Sequence, residues 1–259
     1  MSSRIYLGRF LIRLGGFIRS LAVMVMRPDD LIEFSRQTYA KPQNVEIWSQ
    51  EDLLDSGLSS DEQILLKKLP LKKGRLLLLG VGGGREAIPL ARIGFTVTGV
   101  DFIPAMVAQT KENAARRGLK IRGLIQEISN LDVSANTYDI VWLSAAMYSA
   151  VPTRKRRVRM LRQIRKTLGP GGYFLCQFQM DTRGSSTPKI EFAKRVFAFL
   201  TMGNFWYEKG DILWGNVEFI HGFSSDDKLR SEFKEGGFTV LHMHIPQGKI
   251  RGGAVMRKS

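Results

Sequence analysis

Three alternating glycines, Gly80, Gly82 and Gly84, follow directly on the apolar run Leu76–Leu79. A second apolar run, Phe95–Val100, ends in the carboxylate of Asp101. Glycine lets the backbone turn sharply and approach a ligand where any Cβ would collide. A carboxylate at the end of the neighbouring strand can accept hydrogen bonds from both hydroxyls of a ribose. Together these residues suit the binding of a nucleoside-bearing cofactor.

The elements that must position them follow from periodicity. Ile88, Leu90, Ala91 and Ile93 recur at helical spacing between the two apolar runs, so the stretch reads strand, tight turn, helix, strand. Pro104 opens a further helix that Gly118 closes, and strands follow at Leu119–Ile125, Tyr138–Leu143 and Tyr173–Phe178. Between the last two lies a basic helix, Arg154–Leu168, and a Gly169-Pro170-Gly171-Gly172 turn. Strands alternating with helices at this interval predict a parallel sheet wound on both faces. From Asp29 to Leu69 the start and stop signals predict two or three short helices over one edge of the nucleotide site, with Tyr39 and Trp48 as core or lid aromatics.

Two cofactor classes compete for such a unit. The dinucleotide fingerprint G-x-G-x-x-G/A fails when counted from Gly80, because Arg85 falls in third place; counted from Gly82 it reaches Ala87 but starts two residues late. The G-x-G-x-G spacing instead resembles motif I of the class I S-adenosylmethionine-dependent methyltransferases. Further stretches resemble that family in order: QEISNL its adenine-side motif, YDIVWLSAAMY its motif IV, LGPGGYFL the turn before its fifth strand, and SSDDKLRSEFKEGGFTVLHMHI its last helix and sixth strand. Ala254–Arg257 resembles the antiparallel seventh strand.

The resemblance implies an α/β fold: a doubly wound, Rossmann-like sheet of seven mostly parallel strands, the last antiparallel, behind an N-terminal helical extension. Residues 1–70 would form the extension and 71–259 the cofactor-binding domain, with 180–223 inserted as an acceptor-binding or lid region. S-adenosylmethionine is the implied cofactor. Its implied contacts are Gly80, Val81, Gly82, Gly84, Glu86, Asp101, Phe102, Met106, Gln126, Glu127, Ile128 and Ser144. One departure stands out. The family often has an acid two residues before the first motif I glycine, where this chain has Leu78; Glu86 is the candidate to replace it at the ligand's amino end.

Methyl transfer from a sulfonium is an in-line displacement of an already activated group, so a protein mainly supplies proximity and a water-poor pocket. Where the acceptor needs a base, the candidates near the ends of strands four and five are Tyr148, then His221 and Asp181. No metal is expected: His242 and His244 share one face of a strand but lack a third ligand nearby, and one cysteine, Cys176, reads as a small buried hydrophobe.

The net charge of +15 sits in patches. Arg4, Arg9, Arg13, Arg19 and Arg27 are interleaved with Leu7, Phe10, Leu11, Leu14, Phe17, Ile18 and Leu21 at helical spacing. The apolar stretch is too short to span a bilayer, and arginines interrupt it too often for a signal peptide. Residues 1–27 therefore read as a helix on an anionic membrane surface, a helix packed on the protein's own body, or an organelle presequence. The segment 182–220 is rich in large apolar residues, which favours a lipophilic acceptor such as a lipid or quinone, and a cytoplasmic location at the inner membrane face. Two rivals remain: an RNA methyltransferase whose basic stretches track phosphates, and a binding protein of the same fold without turnover. The oligomeric state has no signature in the sequence.

Overall fold

A computed structural model describes residues 3–182, 187–215, 217–246, 248 and 250–259. Five helices precede the sheet: α1 (Ser3–Val25), α2 (Pro28–Tyr39), α3 (Pro42–Trp48), α4 (Glu51–Ser56) and α5 (Ser60–Lys68). The start and stop signals after Pro28 thus yield four helices rather than two or three, because Lys41-Pro42 and Gln50 each restart the chain. Ser59 caps α5 reciprocally: its Oγ accepts from the Glu62 amide at 3.3 Å, and its own amide donates to Glu62 Oε2 at 2.7 Å.

The sheet begins with β1 (Gly74–Leu79), whose four leucines are buried on both faces, the pattern of a central parallel strand. It is followed by α6 (Ala87–Arg92), β2 (Phe95–Asp101), α7 (Pro104–Arg116), β3 (Arg122–Ile125) and β4 (Tyr138–Leu143). Next come α8 (Arg154–Thr167), β5 (Leu168–Met180), α9 (Pro188–Leu200) and a hairpin of β6 (Asp211–Trp214) and β7 (Glu218–Phe223). The chain closes with α10 (Asp226–Glu235), β8 (Phe238–His244) and β9 (Arg251–Lys258). Strands β3-β2-β1-β4-β5 lie side by side in parallel, β9 runs antiparallel to β5, and β8 flanks β9.

The seven-stranded core expected from the sequence is therefore present, but the described residues form nine strands. The extra pair, β6 and β7, falls within residues 180–223, the stretch expected to carry the acceptor-binding or lid region. With β9 paired to Gln179 on one edge of β5, β7 takes the other edge, pairing Gln179 with Gly222 and Met180 with Phe223. That edge is open because β4 ends earlier, at Leu143 opposite Cys176. The hairpin is thus built onto the carboxyl end of the sheet, where open α/β folds bind ligands.

Apolar clusters fill both faces of the sheet. One holds Leu77, Leu79, Tyr148, Phe174 and Phe233; the other joins Leu54, Leu65 and Leu69 of the N-terminal helices to Leu76, Leu78 and Trp142. Helices α4 and α5 thus share the core of the sheet. A third cluster packs Val23 and Met24 of α1 against Leu31, Ala198 and Phe219. The end of α1 therefore packs on the protein's own body, while Ile5, Phe10, Ile12 and Phe17 nearer its start are exposed.

Candidate functional site

A cavity of about 770 Å³ opens at the carboxyl ends of β1, β4 and β5, within the range of small-molecule sites. Its floor is the glycine turn. Gly82 has φ +53° and open space where a Cβ would stand, so the backbone itself forms the cavity wall. At Gly83 a Cβ would come within 2.0 Å of the Trp48 carbonyl oxygen. That glycine, to which the sequence reading gave no role, lets the end of α3 close over the turn.

Asp101 lies beside this floor, 8 % exposed. Its Oδ2 accepts from the Gly82 amide at 3.0 Å and its Oδ1 from the Ile103 amide at 3.0 Å. Burial raises its pKa, and the amide hydrogen bonds oppose that rise. These bonds fix the carboxylate's orientation while each oxygen keeps a lone pair for a ribose hydroxyl. Gly80, Val81, Phe102 and Met106 line the same region, and Glu127 and Ile128 line the next. Glu127 is held by the Ser129 amide, which donates to its Oε1 at 2.8 Å.

Glu86 is buried at the far side of the turn, where it accepts from the Ser144 hydroxyl and from Arg85. Arg85 also forks onto Glu62, at 2.9 and 2.7 Å. Burial pushes Glu86 up, partly offset by the Arg85 guanidinium. Two buried carboxylates share one guanidinium, so the wall carries one acid in excess. Leu78 is itself fully buried in the core.

Two expected cofactor contacts do not line the cavity. The Gln126 amide is spent on Asp132, donating to its carbonyl at 2.9 Å and accepting from its amide at 3.1 Å. Gly84 lies behind the turn, against Ile88 and Thr110.

The three candidate bases also lie away from the cavity lining. Tyr148 is fully buried, and its hydroxyl donates to Glu232 Oε2 at 2.6 Å. The same carboxylate takes Arg157 Nε at 2.9 Å, and Phe223 stacks on the Tyr148 ring. Burial first, then the Glu232 charge, drive the phenol well above its ordinary pKa. His221 projects from the face of β7 opposite to Glu218 and Ile220, which line the cavity. Its Nδ1 lies 2.7 Å from Asp211 Oδ1, and burial and the Arg157 charge push it down to about 4. The Asp181 amide donates to the Phe223 carbonyl at 2.9 Å, which anchors that residue to the hairpin rather than to the cavity wall.

Glu208, Asp211 and His221 bring potential ligand atoms within 4.8 Å of one another. Arg157 stands 2.9 Å from Glu208 and 2.8 Å from Glu232, so a guanidinium already supplies the countercharge a cation would bring. His242 and His244 stack on one face of β8, as their alternation predicted.

The other end of the cavity draws on Tyr39 and Trp48, expected as core or lid aromatics, and on the apolar segment 182–220. There, Ile32, Tyr39, Trp48, Trp214 and Ile220 form an apolar, aromatic wall that carries the polar groups of Gln179, Glu218 and Arg251. Glu218, the residue of that end with no assigned role, is the acid that opens β7.

Residues 76–172 match the family model of a methyltransferase domain. A ubiquinone biosynthesis O-methyltransferase of Methylobacterium nodulans is 29% identical over 175 residues, 68% of this chain and 64% of that protein. An uncharacterised methyltransferase of Synechocystis is 28% identical over 188 residues, 72% of this chain and 77% of that one. The chain thus spans just under two thirds of the length of the first of these relatives. Among solved structures, a methyltransferase from Methanosarcina mazei superposes with a TM-score of 0.59 at 21% identity, over 78% of this chain and 98% of that one. The [4+2]-cyclase SpnF superposes with 0.57 at 16% identity, over 78% and 83%. Likeness at that distance concerns the fold alone.

Proposed function

We propose that this chain, whose residues 76–172 match a methyltransferase domain, is a class I S-adenosylmethionine-dependent methyltransferase that methylates a hydroxyl of a lipophilic, quinone-like acceptor at a membrane surface. One observation carries this reading: a single cavity joins the glycine turn and Asp101 to an apolar, aromatic far end. Donor and acceptor can therefore be held in line in one water-poor space. Bound S-adenosylmethionine supplies a methyl group already activated on a sulfonium.

The chain's own residues hold and orient. Asp101 receives the ribose hydroxyls, Glu127 the exocyclic amine of the base, and the glycine turn gives the amino-acid part close access to backbone. The excess carboxylate at Glu86 and Glu62 attracts the ammonium, in place of the acid missing at Leu78. The name of the Methylobacterium relative supports an acceptor of the ubiquinone-precursor kind.

Support for membrane contact comes from apolar surface. Phe10 and Ile12 on α1, Phe192 and Phe199 on α9, and Phe205 and Trp206 just after it are all more than half exposed. Among the described residues no helix is long and apolar enough to cross a membrane, so contact would be with the surface. The RNA reading loses ground on α8. There Arg154 and Arg162 pair with Glu235, Arg156 with Asp29, Arg157 with Glu232, and Arg165 with the Ser259 carbonyl. A helix so engaged with its own chain offers few charges to a phosphate backbone.

The test is a labelled-methyl assay with the full chain on total cell extract, sorted into lipid, RNA and small-molecule fractions. Label is expected in the lipid fraction. Label confined to RNA or to polar metabolites would overturn the acceptor class.

A further inference from the structure

At the aromatic end of the cavity, Glu218 is a charged group that the methyl-transfer reading leaves without a task. It projects from the same face of β7 as Ile220. Tyr39, the last residue of α2, faces it, and the tyrosine hydroxyl donates to the Glu218 carboxylate. Arg251, the first residue of β9, lines the same end and acts on Glu218 through its charge. Across the hairpin Glu218 is paired with Trp214, which is neutral. A carboxylate in an apolar wall, with only part of its lone-pair capacity used, is costly to keep.

We propose that Glu218 is the catalytic base of this site, taking the proton of a phenol or catechol hydroxyl as that oxygen receives the methyl group, with Tyr39 as its positioning residue. The proposal rests on the methyl-transfer reading and names its acceptor class. An ionised carboxyl acceptor would need no base and would be repelled by Glu218. A phenol, protonated at neutral pH, needs one, and its ring suits a wall of Tyr39, Trp48 and Trp214. The step balances. The acceptor oxygen forms its bond to the methyl carbon while the carbon–sulfur bond breaks, and that electron pair stays on sulfur as a neutral thioether. The hydroxyl proton ends on Glu218, so the charge lost by the sulfonium is matched by the carboxylate neutralised.

Burial raises the Glu218 pKa, the direction that improves a carboxylate as a base near neutral pH; the Tyr39 hydrogen bond and the Arg251 charge oppose that rise. Among the described residues, Tyr39 from α2 acts on it through a hydrogen bond and Arg251 from β9 through its charge.

The test uses the full chain with 4-nitrocatechol, whose absorbance reports its own ionisation, together with S-adenosylhomocysteine and S-adenosylmethionine. Glu218→Gln should leave S-adenosylhomocysteine affinity unchanged while slowing methylation by about 100-fold or more. In the protein loaded with S-adenosylhomocysteine, losing the neighbouring negative charge should move the ionisation midpoint of bound 4-nitrocatechol down by about one pH unit. Tyr39→Phe should shift the acid limb of kcat/KM to higher pH, because it removes a donor that stabilises the carboxylate. A Glu218→Gln variant within threefold of wild type, with an unmoved probe midpoint, would overturn the role of Glu218 and leave the methyl-transfer reading intact. A wild-type protein that binds S-adenosylhomocysteine but neither binds nor methylates catechols would instead remove the hydroxyl-acceptor reading, and the base with it.

Discussion

Replacing Tyr148 by phenylalanine separates a structural tyrosine from a chemical one. The substitution removes the hydroxyl that donates to Glu232 Oε2 at 2.6 Å and keeps the ring against Phe223 and Phe233. A hydrogen bond to a charged group is worth about 1.5–3 kcal/mol. The cost should lie in that range and not above it, because Arg157 still holds the carboxylate through bonds of 2.9 and 2.8 Å and no buried charge is orphaned. For a chain of this size a loss of about 2 kcal/mol lowers Tm by roughly 4–8 °C. Glu232→Gln should cost more, about 3–5 kcal/mol, since it leaves the buried Arg157 with Glu208 as its remaining carboxylate. Thermal melts of both variants, with S-adenosylhomocysteine calorimetry and methyl transfer, give the answer. Cofactor affinity and kcat of Tyr148→Phe should stay within about threefold of wild type. A fall in kcat beyond 100-fold with Tm unmoved would mean that the phenol reaches the reacting atoms, and the placement of Tyr148 in the core would be wrong.

Three other outcomes follow from the same geometry. Asp101→Ala should weaken S-adenosylhomocysteine binding by about 10–100-fold, the loss of hydrogen bonds to a charged acceptor, with Tm falling only modestly; unchanged affinity by calorimetry would detach the carboxylate from the ribose. His221, held down to about 4 from 6.5, is neutral when folded and binds a proton more readily when unfolded. Its contribution is complete above pH 6.5 and lost as pH falls from 6.5 toward 4, so the wild type should lose more stability than His221→Asn over that window, a comparison read from urea midpoints at each pH. Phe10→Ser with Phe199→Ser should reduce sedimentation with phosphatidylglycerol vesicles by about 100-fold, from roughly 1.5 kcal/mol per buried phenylalanine; equal sedimentation would exclude this face as the contact.

Much of the scaffold was legible because its signals are local. Leu76–Leu79 buries both faces, so it reads as an unbroken apolar run, and a turn that must approach a ligand admits only glycine at its tightest points. Asp101 was legible for the same reason, since its position at the end of β2 is fixed by chain order. The hairpin was not. The sequence 182–220 gave apolar content without register, and pairing of β7 to β5 depends on β4 ending at Leu143, a fact about a distant strand.

That non-local step explains why the expected bases missed the cavity while Glu218 was overlooked. In a strand, neighbouring side chains point to opposite faces, so the choice between Glu218 and His221 turns on which edge of which strand the hairpin joins. Chemical type and chain position point to Tyr148, then His221 and Asp181, and an acid at a hairpin strand end carries no comparable signal. Once β7 is fixed on β5, alternation sends Glu218 and Ile220 into the cavity and Phe219 and His221 toward α1 and Arg157. Tyr148 fell to a similar cause. Motif IV fixes where the chain leaves β4, but the direction of the phenol was set by a buried carboxylate on α10, eighty-four residues further along the chain. A buried acid already paired with Arg157 can accept a hydroxyl at little further desolvation cost, and that contact holds the tyrosine away from the site its position suggested.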